Sequence, residues 1–128
     1  MSTLSYVNVF AKDIVALSGF YQRVFDFPEV EAIRSPIFRG IDAGSCCIGF
    51  NALDAYELLH LSEYADTSGC KFLLNIDVDS PEEVDRMVPI ACAAGATMIK
   101  APYTTYYNWY QAVLLDPEGN VFRINHML

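Results

Sequence analysis

Positive charge is scarce in this 128-residue chain: eight Lys and Arg stand against sixteen Asp and Glu, for a formal net charge of −8. The basic residues are also dispersed. A nucleic-acid surface clusters them to release counterions from phosphates, so no nucleic-acid partner is expected. The plain reading of the acidity is solubility, and the sharper one is attraction of a cationic ligand. No apolar run approaches the roughly 20 residues that cross a bilayer. The start, MSTLSYVNVFAKD, lacks the basic-then-apolar order of a secretory leader, so the expected location is the cytoplasm with no membrane partner. Histidine is limited to His60 and His126. Among four cysteines, Cys46 and Cys47 are adjacent and would point to opposite faces of a strand, while Cys70 and Cys92 stand alone. With no C-x-x-C clamp, plain core thiols are expected, a reactive thiol at Cys46, Cys47 or Cys70 being the alternative.

What the chain has is apolar bulk, 53% of its residues, and aromatics, at a length suited to one domain with one core. Its order of elements repeats. SYVNVFA alternates as a strand, with Tyr6, Asn8 and Phe10 on one side and Val7 and Val9 on the other. Asp13 is placed as a helix N-cap, and Ile14, Leu17, Tyr21, Val24 and Phe25 fall at helical spacing before Pro28. Three short strands are predicted around EVEAI, IFRGIDA and CCIGFNA.

In the second half CKFLLNIDV reads as a strand. SPEEVDRMVPIACAAGA reads as a helix with Ser80 as N-cap, Pro81 at its first position, Glu83 completing a capping box, Pro89 as an internal kink and Gly95 as its stop. TMIKA, YQAVLL and VFRINHM follow as strands, the last two joined by the turn DPEGN. The expected fold class is α+β, a single domain of two β-α-β-β-β modules, about residues 5–51 and 70–126. Linker 52–69 would act as a helix over a cavity or as a strut.

Asp13 with Phe20, Tyr21 and VFDFPEV, the segment VDSPEEVDRMVPIACAAGATMIKAP, and AVLLDPEGNVFRI together resemble the vicinal oxygen chelate superfamily over almost the whole chain. That superfamily includes glyoxalase I, bleomycin- and fosfomycin-resistance proteins and extradiol dioxygenases. The resemblance implies modules whose curved sheets enclose a cleft, assembly as a homodimer, and in the enzymes a divalent metal held by four strand residues. Carried onto this chain, those seats fall at Tyr6, near Gly49, at Leu73 and at Arg123. Leu73 and Gly49 offer no donor atom, Arg123 is a fixed cation where a chelating carboxylate would stand, and Tyr6 is a poor stand-in for imidazole. A two-residue slip would bring in Asn8, Asn75 or Asn125, which are weak ligands. No metal and no other cofactor is expected.

The expected partner is therefore a small molecule. YTTYYNWYQ supplies wide apolar faces with polar tips, and the expected ligand-binding residues are Tyr6, Arg39, Phe50, Tyr106, Tyr107, Trp109, Tyr110 and Arg123. Tyr103 joins the same aromatic cluster, and Phe38, Phe50, Tyr56, Phe72, Leu74 and Phe122 line the cleft or, on alternation alone, belong to the helix-facing core. The favoured reading resembles the metal-free bleomycin-resistance branch, sequestering an aromatic or drug-like compound in antibiotic resistance. The alternative is a glyoxalase-type lyase or isomerase using displaced ligands, or acid-base chemistry by Tyr6 with its pKa lowered beside the electrophile Arg123.

Overall fold

The computed structural model describes residues 1, 3–66 and 68–128 and divides the chain into two units, Met1–Ser68 and Gly69–Leu128. The first unit contains β1 (Tyr6–Ala11), α1 (Ile14–Phe25), β2 (Phe38–Asp42), β3 (Cys47–Ala52) and the short α2 (Asp54–Leu58). Its sheet order is β1-β3-β2, with β1 parallel to β3 and β2 antiparallel. Asp13 caps α1 by accepting the Ala16 N–H at 3.0 Å, satisfying one of the orphan donors of the first turn. The helix ends at Asp26, whose left-handed φ of 57° turns the chain away. Ile14, Leu17, Phe20, Tyr21 and Val24 then pack on Val9, Ala11, Ile41, Ile48 and Phe50, the Tyr21 and Phe50 rings 5.8 Å apart.

The predicted strand at EVEAI is not formed. Glu29 makes one isolated bridge to Ile41, and Glu31–Ile33 winds into a single tight turn. Arg34 closes over this turn, its Nε and Nη2 each donating to a Glu29 carboxylate oxygen at 2.7 Å. Five extended residues would span about 16 Å, which this pair cannot bridge.

The second unit contains β4 (Leu74–Asp77), α3 (Pro81–Ala93), β5 (Thr97–Thr104), β6 (Trp109–Leu115) and β7 (Val121–Met127). Its order is β4-β7-β6-β5, with β4 parallel to β7, so both units pair their first strand in parallel with their last. Ser80 accepts the Glu83 N–H at 3.1 Å, as expected of the cap. The Glu83 carboxylate, however, receives Arg86 Nε and Nη2 at 2.8 Å instead of closing the box. The helix runs through Pro89, and Gly95 follows its end at φ 116°. Val84, Met87, Val88 and Ala91 pack on Ala112, Leu114, Phe122 and Ile124. Truncating a ring as fully buried as Phe122 would cost about 3–5 kcal/mol. The β6–β7 turn is tied by Asp116, which accepts from the backbone N–H of Glu118 and Asn120 and from the Asn120 amide.

Candidate functional site

Each sheet has a near face, packed on its long helix, and a far face. Strand pleating and register decide which side chains share them. In the first unit the far face carries Tyr6, Asn8 and Phe10 of β1, paired with Cys47, Gly49 and Asn51, and beyond them Phe38, Gly40 and Asp42. Two paired glycines, Gly40 and Gly49, make its floor. A Cβ on Gly49 would lie 2.0 Å from Asn8 Oδ1, so no ligating side chain fits there with Asn8 in place. Tyr56 of α2 stacks on Phe10 with ring centroids 3.9 Å apart, giving the linker a packing role in this unit.

Tyr6 titrates in the direction opposite to the lowering expected beside a cation. Burial, a hydrogen bond with Cys47 and the negative charge of Asp42 raise its pKa above the ordinary 10.0. Arg39 and Phe50 lie on the other face from Tyr6. They are register partners on the near face: Phe50 is 0% exposed against Tyr21, and Arg39 Nη1 donates to the carbonyls of Ser35 and Phe38.

In the second unit the far face is polar. Register aligns Asn75, Arg123, Val113 and Lys100 in one row, and Asp77, Asn125, Gln111 and Tyr103 in the next. Arg123 Nη1 donates to Tyr107 Oη at 3.4 Å, Tyr107 Oη donates to Gln111 Oε1 at 3.5 Å, and Gln111 Nε2 donates to Tyr103 Oη at 3.1 Å. Lys100 Nζ stands 3.7 Å above the Tyr103 ring centroid, a cation–π contact. Tyr107 reaches this face from the β5–β6 loop, which closes through a 2.7 Å bond from Thr105 N–H to the Trp109 carbonyl and a left-handed Asn108.

The Tyr107 ring meets Tyr106 and Trp109 edge-on at 4.9 and 5.1 Å. Tyr106 itself is 99% exposed. Tyr110 is a further correction: its neighbour Trp109 shares the far-face side of β6, but Tyr110 turns to the near face and donates to Asp85 of α3 at 2.6 Å. That bond to a carboxylate raises the Tyr110 pKa. Phe122 and Leu74 also belong to the near face.

Asn125 is 0% exposed, and its Nδ2 donates to Asp77 Oδ1 at 2.8 Å. Because a carboxylate only accepts, this fixes the amide's orientation and leaves Oδ1 as the buried acceptor without a partner among the described residues. Arg123 Nε is likewise buried without one. Each such atom costs about 1–3 kcal/mol relative to a satisfied one.

The residues at the four family seats do not fit a divalent metal. Leu73 precedes β4 and is 38% exposed, Gly49 has no room for a side chain, and Arg123 lies across from Asn75, whose amide is committed to Asp77 at 2.9 Å. Among the described residues, no three His, Cys, Asp or Glu side chains gather as a metal would require. His126 Nδ1 lies 2.8 Å from the Val78 carbonyl, and His60 sits in the linker at φ 58°. Lys100, Gln111 and Asp77 are the site residues that sequence reasoning missed. A polar residue alternating with Trp109 and Val113 was the available signal for Gln111.

Residues 6–125 match the family model described as a glyoxalase-like domain. A crystal structure of a glyoxalase/bleomycin resistance protein/dioxygenase family enzyme from Burkholderia phytofirmans PsJN is 68% identical, with a TM-score of 0.97 over 99% of this chain and 100% of that one. Lactoylglutathione lyase from Agrobacterium tumefaciens is 18% identical (TM-score 0.72, covering 98% of this chain and 94% of the other). TioX from Micromonospora sp. ML1 is 19% identical (TM-score 0.68, covering 99% and 100%). Those last two likenesses concern the fold. No curated protein matches the sequence. With the duplicated β-α-β units and a family match over nearly its full length, the chain belongs to the glyoxalase-like domain family of the vicinal oxygen chelate superfamily.

Proposed function

We propose that this protein binds a small, flat organic molecule non-covalently on the far face of its second unit, without a divalent metal. The observation that carries this reading is Arg123, a permanent cation at the family's carboxylate seat, joined by a hydrogen-bond chain to Tyr107, Gln111 and Tyr103. The aromatic groups beside it, Tyr107 and Trp109, supply the stacking surface. Metal-centred isomerisation or oxygenation needs an ion as Lewis acid or oxygen-binding centre, and the donor set at the seats does not provide for one. A lyase reading draws on the name of the Agrobacterium neighbour, and at 18% identity that likeness carries the fold alone. The proposal includes assembly as a homodimer, which sedimentation would read.

Trp109 is the sole tryptophan, so its fluorescence reports on this face. The test is a thermal-shift and fluorescence screen of divalent metals beside planar compounds, since a molecule that binds the native state raises the melting temperature. Planar compounds are expected to raise it and to perturb Trp109 emission, with the shift lost in Trp109→Ala. Stabilisation by zinc, nickel, iron or manganese with no response to any planar compound would defeat the proposal.

A further inference from the structure

We infer that the ligand of this site is an aromatic carboxylate, held by the guanidinium of Arg123. This rests on the preceding reading and adds the ligand's charge to it. The first support comes from how the chain uses its other arginines. Arg34 and Arg86 each direct Nε and Nη2 at one carboxylate, to Glu29 at 2.7 Å and to Glu83 at 2.8 Å. This is the two-pronged geometry that a planar guanidinium offers a carboxylate. Arg123 meets no carboxylate of the described residues, and with Nε buried and Nη1 on Tyr107, Nη2 is the donor that a ligand can reach. Tyr107 takes Nη1 and so orients the group while leaving Nη2 for a carboxylate oxygen.

The second support is the charge of the face. In a chain with twice as many acids as bases, the strand positions of this far face carry two cations, Arg123 and Lys100, and one acid, Asp77. Asp77 Oδ1 accepts from both Asn75 and Asn125, which disperses its charge onto two amides instead of onto Arg123. Acids elsewhere on the surface act weakly here, because physiological salt screens charges beyond about 8 Å. The third support is the aromatic wall: Tyr107 holds Arg123 with its hydroxyl while its ring meets Trp109, so a carboxylate seated on the guanidinium has an arene surface within reach of its own ring. This charge runs opposite to the cationic ligand that the net acidity of the chain suggests.

The test compares three probes of one shape, 2-naphthoate, 2-naphthamide and 2-naphthylmethylammonium, by titration calorimetry on the full chain. Naphthoate is expected to bind at least tenfold tighter than either of the others. The preference should weaken as salt rises. It should fall below threefold in Arg123→Gln, persist in part in Arg123→Lys, and remain in Arg34→Gln, whose fork serves Glu29 in the other unit. Equal or tighter binding of the amide or the ammonium probe by the unmutated protein would overturn the carboxylate assignment while leaving planar-ligand binding standing. Absence of binding by all three at millimolar concentration would overturn both. An unchanged preference in a folded Arg123→Gln would remove Arg123 from the site.

Discussion

Gly49→Ala is expected to destabilise the first unit by a specific collision. The added Cβ would lie 2.0 Å from Asn8 Oδ1 and 2.9 Å from the Phe38 ring, distances that van der Waals contact does not permit. Asn8 is exposed and can swing aside at about 0.5–1.5 kcal/mol for a displaced rotamer, while overpacking against a ring costs about 1–3 kcal/mol. Against this, alanine loses less conformational freedom than glycine on folding, returning about 0.4–1 kcal/mol. The net loss is about 0.5–4 kcal/mol. For a chain of this length one kcal/mol moves the melting temperature by roughly 4 °C, so the expected fall is about 2–16 °C. Calorimetric melting of wild type, Gly49→Ala, Asn8→Ala and the double variant forms a cycle in which Asn8→Ala should recover about 1 kcal/mol of the Gly49→Ala loss. A coupling of zero, or a Gly49→Ala variant that melts with wild type, would refute the collision and with it the claim that this seat cannot hold a ligating side chain.

Asp116→Ala should cost about 3 kcal/mol, since one carboxylate ties the backbone of Glu118 and Asn120 and the Asn120 amide, and chemical denaturation would read the loss. Glu29 titrates below its ordinary 4.5 because Arg34 hydrogen-bonds its charged form. A lowered carboxylate pKa adds stability above the unfolded value and loses it as pH falls through the folded one, so wild type should outlast Glu29→Gln at pH 7 and the gap should close as pH falls below the ordinary 4.5. In alkaline ultraviolet titration Tyr110→Phe should delete a phenol that ionises above 10, because Asp85 holds its proton.

Local signals with a single physical cause were legible in the sequence. Asp13 and Ser80 are side-chain acceptors before apolar periods, and both cap helices where expected. The alternation of Tyr6, Asn8 and Phe10 survives as the far face of β1. Facing was harder. Alternation sorts residues into two sets without saying which meets the helix, so Phe50 reads as lining or as core until register places it on the near face with Arg39. Trp109 and Tyr110, as chain neighbours, could not both line one face. The missing strand at EVEAI was hidden because the Glu29–Arg34 pair that accompanies the turn forms only once the chain has turned. Arg123 was visible as an anomaly by its place after the DPEGN turn. Its hydrogen-bond chain was not, because Tyr107 and Gln111 join it only once the β5–β6 loop folds back.

The parallel pairing of opening and closing strands, β1 with β3 and β4 with β7, means that every backbone ladder is complete within its own half of the polypeptide. The amino-terminal half therefore has all its ladder partners once β3 has left the ribosome, and it can settle while the second half is still being translated. Synthesis order then works in favour of correct pairing: strands of similar design in the later half arrive after their look-alikes have been used.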